Sequence, residues 1–548
     1  MTRTLPADTP TGPPAPPPGS GGRRTCARDL GLLLLGLVAL CALAYGPHVL
    51  DGGFYWDDWQ LAARVRFPPG SSPDFSGPID LGLLAYRPLL ALLLPAVHLL
   101  LGPRPELHIL LGLALNVATA ACFFAFLREL GIERGPAGLM AALALIFPWS
   151  DSMRLWATAA INSVGVLLFL LAMVAALRGL RARGRGRGGR LTVLALVLLA
   201  LGVLTYEVAA AAALLSVFLY RREVGWGAAV RRWGLDALVV VAATAWVALN
   251  TPRSMESLRG LIDHGLDVLD DSVTLLARAV EPFGAPPRGI ALTGVAVLVL
   301  GALLVRGRLP ATAPARGELG RWLAVAGAAV VGVLASYALI VPADRHYLPF
   351  APGVNNRINL LAALPYATLV VALSMIAATL AFARRAPRPW APMALAVLLC
   401  SVVGVGWLDR TVENRRDWDR AAAEQERVLA ALERAVPPDR PPSSTVYSFG
   451  VRQYVREGIP VFSVSWDLKG AARLRLDDRT LRAFSIAPEG RLACRGSGVE
   501  PLGSAYDRNE AAVYGRALFV DVRTARAAAI ENSADCRRER ARMSSAYR

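Results

Sequence analysis

The chain has 548 residues, 54% of them hydrophobic, with a mean hydropathy of +0.42 and a net charge of +17 from 59 basic and 42 acidic side chains. That apolar content excludes an ordinary soluble protein, and many apolar runs are long enough for a bilayer core of roughly 30 Å. The basic excess sits between those runs, which fits membrane orientation and anionic lipid and gives no nucleic-acid partner.

Residues 1–29 are rich in Pro, Gly and Thr and read as a disordered cytoplasmic tail. Apolar runs then predict eleven spans, near 30–50, 107–128, 136–149, 160–178, 191–205, 208–220, 234–250, 289–305, 322–341, 358–383 and 390–408. Taking 191–220 as a pair puts Arg128/Arg134, Arg178 to Arg190, Arg221/Arg222, Arg306/Arg308 and Arg384/Arg385 on one side with Arg23/Arg24. The positive-inside rule makes that side cytoplasmic. The loops at Asp57-Asp58, 150–159, Tyr206-Glu207, 251–288 and 342–357 then lie outside. Within the outer loop 51–106, the segment 80–102 reads as an amphipathic interfacial helix, since counting it as a span would reverse every later basic loop. Arg87-Pro88 is a natural helix start there.

From 409 to 548 the chain changes character and predicts a small extracytoplasmic α/β domain. Trp418, Ala422, Gln425, Leu429 and Leu432 give one face of a helix that Pro437-Pro438 ends. Thr445–Phe449, Val461–Val464 and Ala517–Val522 read as strands. Cys494 and Cys536 would share an oxidising compartment, and both a disulfide and two unpaired thiols are open. Lys469 is the single lysine, and arginine usage with abundant Ala, Gly and Pro reads as GC-rich bacterial coding.

Candidate chemistry concentrates on the outer side. Tyr55-Trp56-Asp57-Asp58-Trp59 places two carboxylates at a membrane surface, where ionisable groups tend to be functional. A carboxylate there can act as general base, and a neighbouring carboxylate raises the pKa of one of the pair. The bland reading is a solvated loop end or a helix N-cap, with Trp56 and Trp59 as interface anchors. Glu207, between two apolar halves, is a pocket candidate or a plain turn residue. Arg87, Arg345 and Arg357 are candidates for phosphate, which arginine grips bidentately; snorkelling at the interface is the other reading. His346 and Asn356 complete the expected pocket. No His/Asp spacing assigns a metal, and a divalent cation stays open.

The first span, the Asp57-Asp58 loop, Tyr86-Arg87-Pro88-Leu89, His108 with Asn116, and the stretch Phe147-Pro148-Trp149 to Asn162-Ser163 together resemble the GT-C-type membrane glycosyltransferases. These include the protein O-mannosyltransferases and related bacterial enzymes of the dolichyl-phosphate-mannose-dependent type. The resemblance covers roughly residues 30–210 and is a pattern of spaced short signatures. It implies a polyprenyl-phosphate sugar donor, a single inverting displacement and a glycan, lipid or protein acceptor. It also implies a catalytic carboxylate at Asp57, with Asp58 second. Many relatives carry a basic residue just before the acidic one between spans five and six; here Tyr206 precedes Glu207, and the basic partner is missing from that place. Segment 409–548 has no counterpart. The expectation is thus an α-helical polytopic GT-C-like membrane glycosyltransferase of the cell envelope. A lipid or glycan transporter, or a non-catalytic anchor for the outer domain, is the alternative.

Overall fold

The computed structural model describes residues 20–67, 79–182, 186–251, 258–280, 287–307, 312–342, 347–384, 390–486, 491–502 and 511–544. The architecture is that of an α-helical polytopic membrane protein with a C-terminal domain built on a small β-sheet. Seven helices are long and apolar enough to cross a membrane: Pro105–Glu129, Ala157–Arg181, Arg187–Thr205, Trp226–Asn250, Ala313–Tyr337, Gly353–Ala381 and Ala391–Ala435. Leu30–Tyr45, Pro88–Leu101 and Thr293–Val305 are apolar but shorter. The expected spans at 136–149 and 208–220 become a 12-residue helix, Arg134–Leu145, and the short pair Ala210–Leu214 and Ser216–Val224. Eleven full-length crossings are therefore not observed among the described residues.

The break inside 191–220 falls at Tyr206-Glu207, which separates Arg187–Thr205 from the next helical turns. The 80–102 segment folds as two helices, Leu81–Tyr86 and Pro88–Leu101, with Arg87 at the joint and Pro88 in the first turn, where its missing N–H costs nothing. Helix length matters most in Ala391–Ala435, whose 45 residues would span about 68 Å at 1.5 Å each. It continues unbroken from the apolar bundle into the C-terminal domain.

In that domain, strands β1 (Thr445–Phe449), β2 (Tyr454–Arg456), β3 (Ile459–Pro460), β4 (Arg482–Ser485), β5 (Arg491–Cys494), β6 (Gly498–Leu502), β7 (Ala512–Val513), β8 (Ala517–Asp521) and β9 (Arg526–Ile530) form three sheets. The main sheet has the order β4-β1-β8-β9, with β1 parallel to β4 and β8 and with β9 antiparallel to β8. The Ser465–Leu476 helix lies between β3 and β4 in the chain. A Cys494–Cys536 disulfide ties β5 to the last helix, which resolves the alternative left open by the sequence. The predicted strand at 461–464 is instead a bend, because Ser463 and Val464 give their N–H groups to Asp467 rather than to a ladder.

The two ends of the bundle differ in charge. At one end, Arg178 and Arg181 pair with Glu129, Arg181 also pairs with Glu223, and Arg321 pairs with Glu133. At the other end of the same helices lie Asp57, Asn162, Glu207 and Arg357, around one cavity.

Candidate active site

Helix Asp57–Arg66 begins with both aspartates in its first turn, where carboxylates suit the positive end of the helix dipole. The residue before it, Trp56, has φ +49° and ψ −112°, a region that a bulky side chain adopts only when its surroundings over-determine it. The surroundings are present. The Trp56 indole donates to Ser463 Oγ at 2.6 Å and meets the Trp156 ring edge-on at 5.6 Å. The Trp59 indole faces Gln425. Both tryptophans are only partly exposed, with Trp56 held by the C-terminal domain and Trp59 by the long helix.

The adjacent aspartates have separate environments. Asp58 is fully buried. Its carboxylate accepts from the backbone N–H of Tyr55 at 3.0 Å, from the backbone N–H of Thr158 at 2.8 Å and from the Thr158 hydroxyl. Burial pushes its pKa to about 7, against the pull of those donors. Asp57 is half-buried and lines a cavity of about 300 Å³. Its Oδ1 accepts from the Trp466 indole at 2.9 Å. Burial raises its pKa, and Arg357, the Trp466 N–H and Arg64 offset only part of that rise.

The same cavity is also lined by cationic and aromatic side chains. Arg357 comes from the short turn Gly353–Ile358, donates to the Tyr347 hydroxyl and lies 4.9 Å from the Tyr347 ring centroid and 5.6 Å from that of Trp156. Among the described residues it makes no ion pair. Arg87 also lines the cavity, but Glu207 holds it in a two-pronged pair, Nε to Oε2 at 2.9 Å and a terminal nitrogen to Oε1 at 2.5 Å. Burial alone would raise Glu207; the Arg87 guanidinium outweighs it and leaves that carboxyl low. Glu207 thus takes its cation from Arg87 rather than from position 206, and Tyr206 stacks under the same guanidinium at 4.9 Å. Leu83, Leu90, Leu94, Leu339 and Ile340 give the cavity an apolar stretch, with Thr158 and Asn162 also in its lining.

Asn356 does not join this cavity. Its side chain donates to the buried Asp151 and accepts from Ser152 Oγ at 2.7 Å, so it satisfies a buried carboxylate next to a second cavity. Arg345 and His346 lie outside the described residues. Thus Asp57, Arg87, Glu207 and Arg357 converge, and Asp58 and Asn356 serve as ties behind them. Trp466, Ser463 and Thr158 were missed in the sequence. Only their contacts with the Asp57 loop single them out, and those contacts span 409, 407 and 100 residues. No group of three or more His, Cys, Asp or Glu among the described residues is arranged to hold a metal ion.

No family model and no curated protein matches the chain. Solved structures similar to it include the Archaeoglobus fulgidus oligosaccharyltransferase tethered to an acceptor peptide with an NVT sequon. That match has a TM-score of 0.39 at 13% identity and covers 82% of this chain and 63% of that one. The chain therefore spans less than two thirds of that protein. ArnT from Cupriavidus metallidurans bound to undecaprenyl phosphate matches at a TM-score of 0.37 and 13% identity, over 82% of this chain and 85% of that one. The same protein in its apo state matches at 0.35 and 14%, over 84% and 86%.

Proposed function

We propose that this chain is a membrane glycosyltransferase that moves a sugar from a polyprenyl-phosphate donor to an acceptor hydroxyl at the outer face. One observation carries the reading. A half-buried carboxylate, Asp57, and a guanidinium with no ion pair among the described residues, Arg357, line the same partly apolar cavity at the end of the bundle away from the arginine clusters. The sequence resemblance points to the same carboxylate.

The chemistry follows from those groups. Asp57 takes the proton from the acceptor hydroxyl as its oxygen attacks the anomeric carbon. The bond from that carbon to the phosphate oxygen breaks, and polyprenyl phosphate leaves with the electron pair, inverting the anomeric centre. A carboxyl raised by burial is the stronger base, which suits that transfer. Arg357 holds the phosphate, and Arg87, already matched by Glu207, contributes shape and donors more than net charge. The leucine-lined wall takes the first isoprene units. Because the phosphate is a competent leaving group, the site needs chiefly to orient the reactants.

The test is Asp57→Asn at unchanged membrane level. Removing a general base should lower transfer by roughly 100-fold or more, seen as loss of a cell-envelope glycan and build-up of lipid-phosphate sugar. Unchanged glycan with no build-up of donor refutes the reading. In that case the transporter and anchor alternatives separate on whether Arg357→Ala alters lipid-linked sugar distribution across the membrane.

A further inference from the structure

We infer that the C-terminal domain braces the residues of this cavity from behind, with Trp466 as a positioning residue that holds the Asp57 carboxylate through its indole N–H. The inference rests on the reading of Asp57 as base only for its kinetic consequence; the bond itself is tested separately below.

Trp466 is the second residue of the Ser465–Leu476 helix, and its Nε1 lies 2.9 Å from Asp57 Oδ1. The residues around it are fixed on both sides. Ser463 accepts from the indole of Trp56, the residue directly before Asp57, at 2.6 Å. Asp467, fully buried, accepts from the backbone N–H groups of Ser463 and Val464 at 2.8 and 3.2 Å, and so sets the first turn of the helix that presents Trp466. One turn further on, Gly470 packs so closely that a Cβ there would sit 2.5 Å from the backbone oxygen of Trp59. The Trp466–Asp57 bond is therefore the middle of a continuous seam between this helix and the helix that carries Asp57. The C-terminal domain grips the turn Gly353–Ile358 as well. Val354, three residues before Arg357, donates its N–H to the Gly458 carbonyl at 2.8 Å in the turn between β2 and β3. The domain thus contacts both Asp57 and the turn that carries Arg357.

A tryptophan present only for packing needs its ring. Trp466 also spends its one donor on a carboxylate oxygen, a charge-assisted bond that favours the ionised form and fixes the carboxylate's rotation. Among the described residues Asp57 Oδ2 has no hydrogen-bond donor, so it remains as the acceptor for an incoming proton. The other charges facing Asp57 are Arg357 and Arg64, which attract it, and Asp80, Asp58 and Asp467, which repel it. Removing the indole N–H changes none of these.

The experiment uses the full chain in lipid nanodiscs with 13C-carboxyl aspartate, read by infrared titration; the band lost in Asp57→Asn assigns the group. Trp466→Phe keeps a ring and removes the donor. Replacement of Trp466 by benzothienylalanine, introduced by nonsense suppression, keeps the bicyclic shape and removes the same N–H, so the test survives if the phenylalanine variant does not fold. The Asp57 titration should rise by about one pH unit in either variant. An unmoved titration in the benzothienyl variant overturns the inference. Release of polyprenyl phosphate from the lipid-linked sugars of the producing membranes is then followed against pH. Its acid limb should move with the titration. If the titration moves and the limb does not, Trp466 still positions Asp57, and it is the reading of Asp57 as the base that fails.

Discussion

Asp57 and Asp58 are neighbours in sequence with opposite surroundings, and the difference comes from residues far away. Thr158, a hundred residues on, closes over Asp58 with a backbone and a side-chain donor, whereas Asp57 meets a single indole and a cavity. The pair itself was legible in the sequence as an anomaly at a membrane surface. Which member lines the cavity was legible only through the family resemblance, because burial here is set by tertiary partners and both carboxylates have the same local context. The buried member makes a pH prediction. An unfolded aspartate titrates near 3.9, whereas burial holds Asp58 at about 7 and Asp467 at about 8. Between those values the folded state binds more protons than the unfolded state, so stability falls as pH rises through that window. Thermal unfolding in nanodiscs should therefore show a melting temperature several degrees lower at pH 8 than at pH 5. Asp58→Asn, neutral at both, should flatten that slope while leaving the pH 5 value close to the parent's. A slope unchanged in Asp58→Asn and Asp467→Asn alike would contradict the burial argument.

At the scale of elements, hydropathy located the apolar helices well and their lengths poorly. Hydropathy reads composition, while the ends are decided by specific breaks such as Tyr206-Glu207 and the turn after Leu145. The strands at 445–449 and 517–521 were legible from their β-branched and aromatic residues, and both pair in the main sheet. The bend at 461–464 has the same composition, but the backbone donors of Ser463 and Val464 are taken by Asp467, and the Ser463 hydroxyl is held in the seam to the Asp57 loop. That seam also reverses an ordinary rule. Gly→Ala inside a helix usually stabilises by roughly 0.5–1 kcal/mol. Gly470 lies in the middle of Ser465–Leu476, yet its added methyl would strike the backbone of Trp59 and Gln60 at 2.5–2.8 Å. Gly470→Ala should therefore destabilise by about 1–3 kcal/mol, the usual cost of overpacking. It should also raise hydrogen exchange in residues 56–66. A stabilised variant, or exchange unchanged there, would mean that the two helices are not in this contact.

At the scale of the whole molecule, one helical bundle has a basic end and a site end, and the arginine count makes that polarity legible in the sequence. Loops far apart in sequence, around Asp57, Asn162, Glu207 and Arg357, had been placed on one side by counting charges, and they do line one cavity. The ion pairs of Arg178, Arg181 and Arg321 gather at the other end of the same helices. Which end faces the cytoplasm follows from the positive-inside rule and can be checked directly. Asp439 is exposed in the C-terminal domain, beyond the site end, and Gly189 is exposed beside the arginine run, with open space where a Cβ would go. In a Cys26→Ser background, Asp439→Cys should react with a membrane-impermeant thiol reagent on intact cells, and Gly189→Cys should react only after permeabilisation. The free cysteines Cys41 and Cys400 are buried in the bundle, and Cys122 is partly covered, so they contribute little background. Reaction in the reverse order would turn the molecule over. Asp57 would then face the cytoplasm, where the reducing environment also disfavours the Cys494–Cys536 disulfide that the C-terminal domain contains. The orientation of the site end and the redox state of that disulfide are thus one prediction with two readouts, and they must agree.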